Sequence, residues 1–211
     1  MVQLLAVTDY ITSLAEAERV YGLSASSDFA IAFPEWTTQL QPLPSADKDR
    51  LDLIKQRYLY HRRHGHLLEN AVNFLVISPL LELAGLYDPP YLLRSETSVR
   101  FQMPDENDRI YQGRIDALVV FDQLWVVLVE SKRTSFNMTT GLPQALAYMA
   151  SQVQQSPTYG LVSNGEYSVF IKLEDKQYAF SDDFSLNRRS NQLYDVLQIL
   201  NRLKSLKSVA G

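Results

Sequence analysis

The sequence predicts an α/β fold (α+β in the looser sense): one central mixed sheet with helices on both sides. Three observations carry that prediction. Two consecutive strand-like runs, ALVVF and LWVVLV, are too continuously apolar for a sheet with one wet face. An amphipathic helical pattern follows them, and a second strand pair joined by Asn164-Gly165 follows that. Long helical patterns at residues 47–86 and 190–206 flank the strand-rich middle.

Taken in order, residues 1–44 read as an N-terminal helical and loop extension, either an elaboration or an interaction arm, and 45–211 as one domain. The stretch LQPLPSADKD (40–49) is a loop in which Ser45 is the expected helix N-cap. The helix that follows is expected to break near Ser78-Pro79, because proline disfavours helical geometry in the residue before it. Leu67, Ala71, Phe74 and Leu75 fall on one face at helical spacing. After Pro89-Pro90, Leu92 to Met103 reads as a strand and Pro104 to Arg109 as a polar connection. Ile110 to Phe121 and Leu124 to Lys132 read as a hairpin. A helix runs from Thr139 or Thr140 to about Gln154, with Pro143 near its first turn. Thr158 to Ser163 and Tyr167 to Leu173 form the second hairpin, and the last helix presents Leu193, Leu197, Leu200 and Leu203 on one stripe.

The chain has 211 residues, 46% hydrophobic and 21% charged, which is enough to bury a core without staples. It contains no cysteine, which excludes thiolate catalysis, disulfides and sulfur-ligated zinc. No apolar run reaches the length of a membrane span, and the start, MVQLLAVTDYI, has no charged n-region, so the expected compartment is the cytoplasm with no membrane partner. The net charge of −4 carries no basic excess of the kind a dedicated nucleic-acid binder shows.

One constellation stands out: Arg114-Ile115-Asp116 opens a hairpin strand, Glu130-Ser131-Lys132 closes the next, and Gln144 and Tyr148 follow on a helix. Glu130 and Lys132 are two apart, so on a strand they share a face, and they sit where an apolar strand leaves the core. Such an edge is where open sheets bind ligands. Two carboxylates, Asp116 and Glu130, with the backbone carbonyl of Ser131 make a hard oxygen site suited to Mg²⁺ or Mn²⁺. A lysine beside it can orient water and offset charge on a phosphate. Gln144 and Tyr148 are one helical turn apart and can donate hydrogen bonds to a phosphate backbone or support the cluster. A bare Glu-x-Lys means little, since a surface ion pair explains it equally well. The chain carries its own decoy in Glu174-Asp175-Lys176, which reads as a solvated turn.

The order Asp, Glu-x-Lys, Gln-x-x-x-Tyr resembles the PD-(D/E)XK nuclease superfamily, in particular the RecB-like nucleases and the N-terminal nuclease domain of type I restriction motor subunits. The residues are Asp116 in GRIDALVV, Glu130 to Lys132 in LVESK, and Gln144 and Tyr148 in QALAYM, a core of 113–148. The resemblance implies a restriction-endonuclease-like fold and Mg²⁺-dependent hydrolysis of DNA. In it Asp116 and Glu130 are metal ligands, Lys132 is the catalytic lysine, and Gln144 and Tyr148 are supporting or DNA-contacting residues. Glu69 resembles the helix carboxylate that some members add to the metal site, with Glu82 as a competitor. Ile115 stands where the family motif has proline. No GxxxxGK[ST] is present, so the expectation is a stand-alone domain that uses no ATP. A homodimer or a partner subunit of a restriction or repair complex would fit the family.

Arg62 and Arg63, within YHRRHGH, read as a basic face for phosphate, or else a solvated helix end. Arg133 follows the motif lysine and is a further nucleic-acid candidate, and Arg188, Arg189, Arg202, Lys204 and Lys207 could extend the basic face. Two alternatives stay open: a catalytically silent nuclease-like module that binds nucleic acid, and a protein whose polar cluster is structural within a larger assembly.

The hairpin supplies a geometric condition. Opposed residues in an antiparallel pair have position numbers of constant sum. A two-residue turn at Asp122-Gln123 opposes 121 to 124, an odd sum, which puts Asp116 and Glu130 on opposite faces. Both carboxylates reach one metal if the sum is even, so a three-residue connection or a bulge is expected.

Overall fold

The computed structural model describes residues 4–6, 11–26, 33–38, 40–94, 97–102, 110–115, 117–120, 124–128, 138–152 and 157–207, and the backbone alone of those among them at 4–6, 69, 93–140, 152 and 207. Helices are α1 (Leu14–Tyr21), α2 (Pro34–Thr37), α3 (Ser45–Arg63), α4 (Glu69–Val72), α5 (Ser78–Leu83), α6 (Met138–Gln152) and α7 (Leu193–Lys207), with a π-helical turn at Asn73–Ile77 joining α4 to α5. Strands are β1 (Leu4–Ala6), β2 (Ser24–Ala25), β3 (Leu93–Arg94), β4 (Thr97–Gln102), β5 (Ile110–Ile115), β6 (Ala117–Val120), β7 (Leu124–Leu128), β8 (Thr158–Ser163), β9 (Tyr167–Glu174), β10 (Gln177–Phe180) and β11 (Phe184–Ser185).

The expected α/β class holds: the central sheet is mixed and has helices on both faces. Its order is β2-β10-β9-β8-β7-β6-β3, with β11 on β9, and a smaller sheet runs β1-β5-β4. Strands β7 and β8 are parallel, with α6 between them in the chain, whereas β6–β7 and β8–β9 are antiparallel. On one face Tyr159, Leu161 and Phe170 meet α2, α3, the α4–α5 segment and α7. On the other, Val162, Ile171 and Leu173 meet α1 and α6. Strand β8 is buried along its whole length, as a strand covered on both sides must be. Among the described residues no helix is long and apolar enough to cross a membrane.

The N-terminal segment is strand as well as helix. Leu4↔Ile110 and Ser24↔Gln177 pair it into both sheets, and Phe33 and Trp36 enter the core. Helix α1 is held by a capping box in which Ser13 and Glu16 each bond the other's backbone N–H, and Gly22 closes it in the left-handed region at φ +65°.

Two helix expectations are corrected. Ser45 is the first residue of α3 and makes no side-chain cap; Pro44 precedes it with extended geometry. The break falls at His64–Leu68, around Gly65, and the helix passes through Pro79. Pro79 has no N–H to give its own turn, and the π-helical turn just before it accommodates the gap. The wider turn also rotates the buried face to Val72, Val76, Ile77, Leu80 and Leu81, leaving Phe74 76% exposed. The stripe of α7 is as expected, with Leu193, Leu197, Leu200 and Leu203 all buried.

Candidate nuclease edge

The β6–β7 register pairs Ala117 with Val127, Leu118 with Val126, Val119 with Trp125 and Val120 with Leu124. Opposed positions sum to 244, an even number, across a connection of three residues, 121–123. The parity condition derived from the sequence is therefore met. Asp116, Glu130, Ser131, Lys132 and Arg133 themselves lie outside the described residues. Glu130 comes two positions after Leu128, the last described residue of β7.

Leu128 is paired with Ser163, so the carboxyl ends of β7 and β8 lie at one edge of the sheet. The turn after β8 is built by Asn164, whose Oδ1 accepts the backbone N–H groups of Glu166 and Tyr167 at 3.0 and 2.9 Å. Gly165 follows at φ +82°, where a Cβ would lie 2.6 Å from Val72 and 3.2 Å from the Tyr58 ring. That close approach brings α4 and the end of α3 to the same edge. Glu69 opens α4, one turn before Val72; its side chain lies outside the described residues. Glu82, its competitor, is an exposed partner of Arg50 at 3.7 Å.

Gln144 and Tyr148 lie on α6, Gln144 half-buried and Tyr148 3% exposed among Ala145, Met149 and Val162. Burial first, then the nearby Tyr148 phenol, raise the pKa of Tyr21 on α1. So deep a position suits the supporting role for Tyr148.

Arg62 and Arg63 differ. Arg62 forms an ion pair with Glu166, which also accepts from the Asn187 amide, while Arg63 is exposed. Burial and the Glu166 carboxylate push the Tyr58 phenol up to about 12. The loop at 188–190 lies along α3, where Lys55 Nζ donates to the carbonyls of Arg188 and Ser190 at 2.6 and 2.9 Å. Lys204 is committed elsewhere, donating to the Ala84 carbonyl at 2.6 Å and closing α5.

One polar cluster escaped the sequence reading. Lys172 Nζ lies 2.7 Å from Glu35 and 3.0 Å from Glu174, and Tyr159 donates to the same Glu35 oxygen at 3.0 Å. The Lys172 and Glu35 side chains are 9% and 12% exposed. Burial alone would lower the lysine, but the two carboxylate hydrogen bonds outweigh it and its pKa is raised. A lysine inside the apolar run YSVFIKLE was the available signal. Its partner lies 137 positions away. The Glu174-Asp175-Lys176 decoy is the two-residue β9–β10 turn, with Asp175 and Lys176 at φ 47° and 67°.

Among the described residues no group of three His, Asp or Glu side chains is placed to hold a metal ion. No protein-family model matches the chain, and comparison with curated proteins returns no match.

Proposed function

We propose that the chain is a metal-dependent nuclease domain of restriction-endonuclease-like fold that hydrolyses phosphodiester bonds in DNA, working in the cytoplasm. The observation that carries the reading is the even β6–β7 register. It is the parity that two carboxylates at positions 116 and 130 need to serve one ion. The shared carboxyl edge of β7 and β8, with a helix crossover between them, supports it as the ligand-binding side of a mixed sheet.

Asp116, Glu130 and the Ser131 carbonyl fit Mg²⁺ or Mn²⁺ as an all-oxygen donor set, and Glu69 on α4 is the added carboxylate at this edge. The ion, when bound, supplies the positive charge that polarises the scissile phosphate. Lys132 orients the attacking water and offsets negative charge as the new P–O bond forms and the ester P–O bond breaks, the leaving oxygen taking up a proton. Tyr148, buried on α6, supports the site from within the core, and Gln144, half-buried one turn before it, is left to support the cluster or contact DNA.

The test is incubation of the full chain with plasmid and single-stranded DNA in Mg²⁺ or Mn²⁺, beside Asp116→Ala, Glu130→Ala and Lys132→Ala. Cleavage by the wild type and by none of the variants is expected. An active Lys132→Ala protein sinks the role of the lysine. If there is no cleavage and no gain in melting temperature with metal, the reading passes to a silent nucleic-acid-binding module.

A further inference from the structure

From Leu53 to Leu68 the chain has no acidic residue, but it has Lys55, Arg57, Arg62, Arg63 and all three of its histidines. In a protein of net charge −4 that is a concentrated positive segment. The run folds as the second half of α3 and the turn after it. Leu51, Ile54 and Tyr58 bury the inner face, so Arg57, Tyr60, His61 and His64, at i, i+3, i+4 and i+7, form one outer face. All four are exposed, Tyr60 by 61%. The Tyr60 ring lies 5.3 Å from His61 and 4.9 Å from His64, centroid to centroid, so three aromatic rings gather beside an arginine. Among the described residues Arg57 and Arg63 form no ion pair.

An exposed tyrosine with rings beside it offers a flat face for stacking. Cations alongside it neutralise phosphates. Bases of a duplex already stack on each other and present no free face to Tyr60, whereas those of a single strand do. The location agrees with this. Arg62, by its ion pair with Glu166, and Tyr58, by its contact with the Gly165 turn, pin this end of α3 to the sheet edge where β7 and β8 end.

We propose that the outer face at the end of α3 is a docking surface for single-stranded nucleic acid. A base stacks on Tyr60 beside His61 and His64, and Arg57 and Arg63 take the flanking phosphates. The proposal rests on the reading of this chain as one that acts on nucleic acid, and it holds whether or not the edge cleaves.

The experiment is fluorescence anisotropy of a labelled oligothymidylate and of a labelled duplex, with the full chain in EDTA so that cleavage plays no part. Tyr60→Ala should weaken single-strand binding by about tenfold or more and duplex binding much less. Tyr60→Phe, which keeps the ring, should bind like the wild type. Arg57→Ala should lower the steepness of the salt dependence by about 0.7. Equal losses on both ligands overturn the stacking role. Wild-type binding that none of these substitutions changes overturns the surface and leaves the nuclease reading standing. Wild type that binds neither ligand removes the nucleic-acid reading itself. A self-associating chain that Tyr60→Ala disperses assigns the face to a second copy and overturns the proposal.

Discussion

Two hairpins of the central sheet carry the same triplet, Glu-x-Lys, and differ by one residue in their connections. In β9–β10, Glu174 opposes Gln177 and pairs with Lys172, and Asp175-Lys176 is the whole turn, so the lysine of the triplet sits in the chain reversal. In β6–β7 the connection is three residues and the triplet at 130–132 follows the far strand. One residue changes the parity of every opposed pair, and with it which side chains can meet. On the proposed reading, the triplet at 130–132 differs from the one at 174–176 through the register of the hairpin it follows. Lys172 adds a contrast within β9 itself, as a lysine held between two carboxylates in the interior of the fold.

The largest expected effect separates the two triplets. Lys132→Ala should lower cleavage by at least about 10²-fold, the scale of a lost charge-stabilising group, while Lys176→Ala leaves it unchanged. Equal losses would erase the distinction between the hairpins. Lys172→Met should leave the buried Glu35 carboxylate without its cation, Glu174 being half-exposed, and cost about 3 kcal/mol in urea denaturation. Lys132→Ala should leave the urea midpoint in place, which would distinguish a stabilising lysine from a reactive one. Gly165→Ala combines an unfavourable φ with a Cβ driven against Val72 and Tyr58, and should cost about 2–3 kcal/mol. Gly160→Ala meets Met149 Sδ at 2.9 Å, a flexible neighbour, and should cost about 1 kcal/mol. The smallest effect concerns alkaline pH. Because the pKa of Lys172 is raised above its ordinary 10.5, its contribution is complete below that value and fades as pH climbs through the higher folded value. The wild type should therefore lose melting temperature more steeply than Lys172→Met above that pH.

What could be read from the sequence was local and periodic. The Asn164-Gly165 turn follows from residue identity and the leucine stripe of α7 from spacing, whereas the even parity of the β6–β7 hairpin followed only from requiring Asp116 and Glu130 to share one ion, since a two-residue turn gives an odd sum. The helix break did not, because an isolated proline signal competes with packing: the π-helical turn absorbs Pro79, and Gly65 ends α3 instead. Phe74 was placed on the wrong face for the same reason, since 3.6-residue spacing does not hold across a π-helical turn. Strands β1 and β2 left no short-range mark because their partners, Ile110 and Gln177, lie far along the chain. Lys172 and Glu35 likewise looked unrelated, joined as they are through tertiary structure alone.

The two-residue strand β2 lies along the outer edge of β10 and pairs Ser24 with Gln177. On the ribosome this segment emerges early and has no strand to join until nearly the whole domain has been made. Pairing of β2 therefore waits for β10, a long-range closure of the slow kind. Removing residues 24–25 from the pairing would expose the backbone groups of β10 as a template for other chains, so aggregation during expression would be the first symptom of damage there.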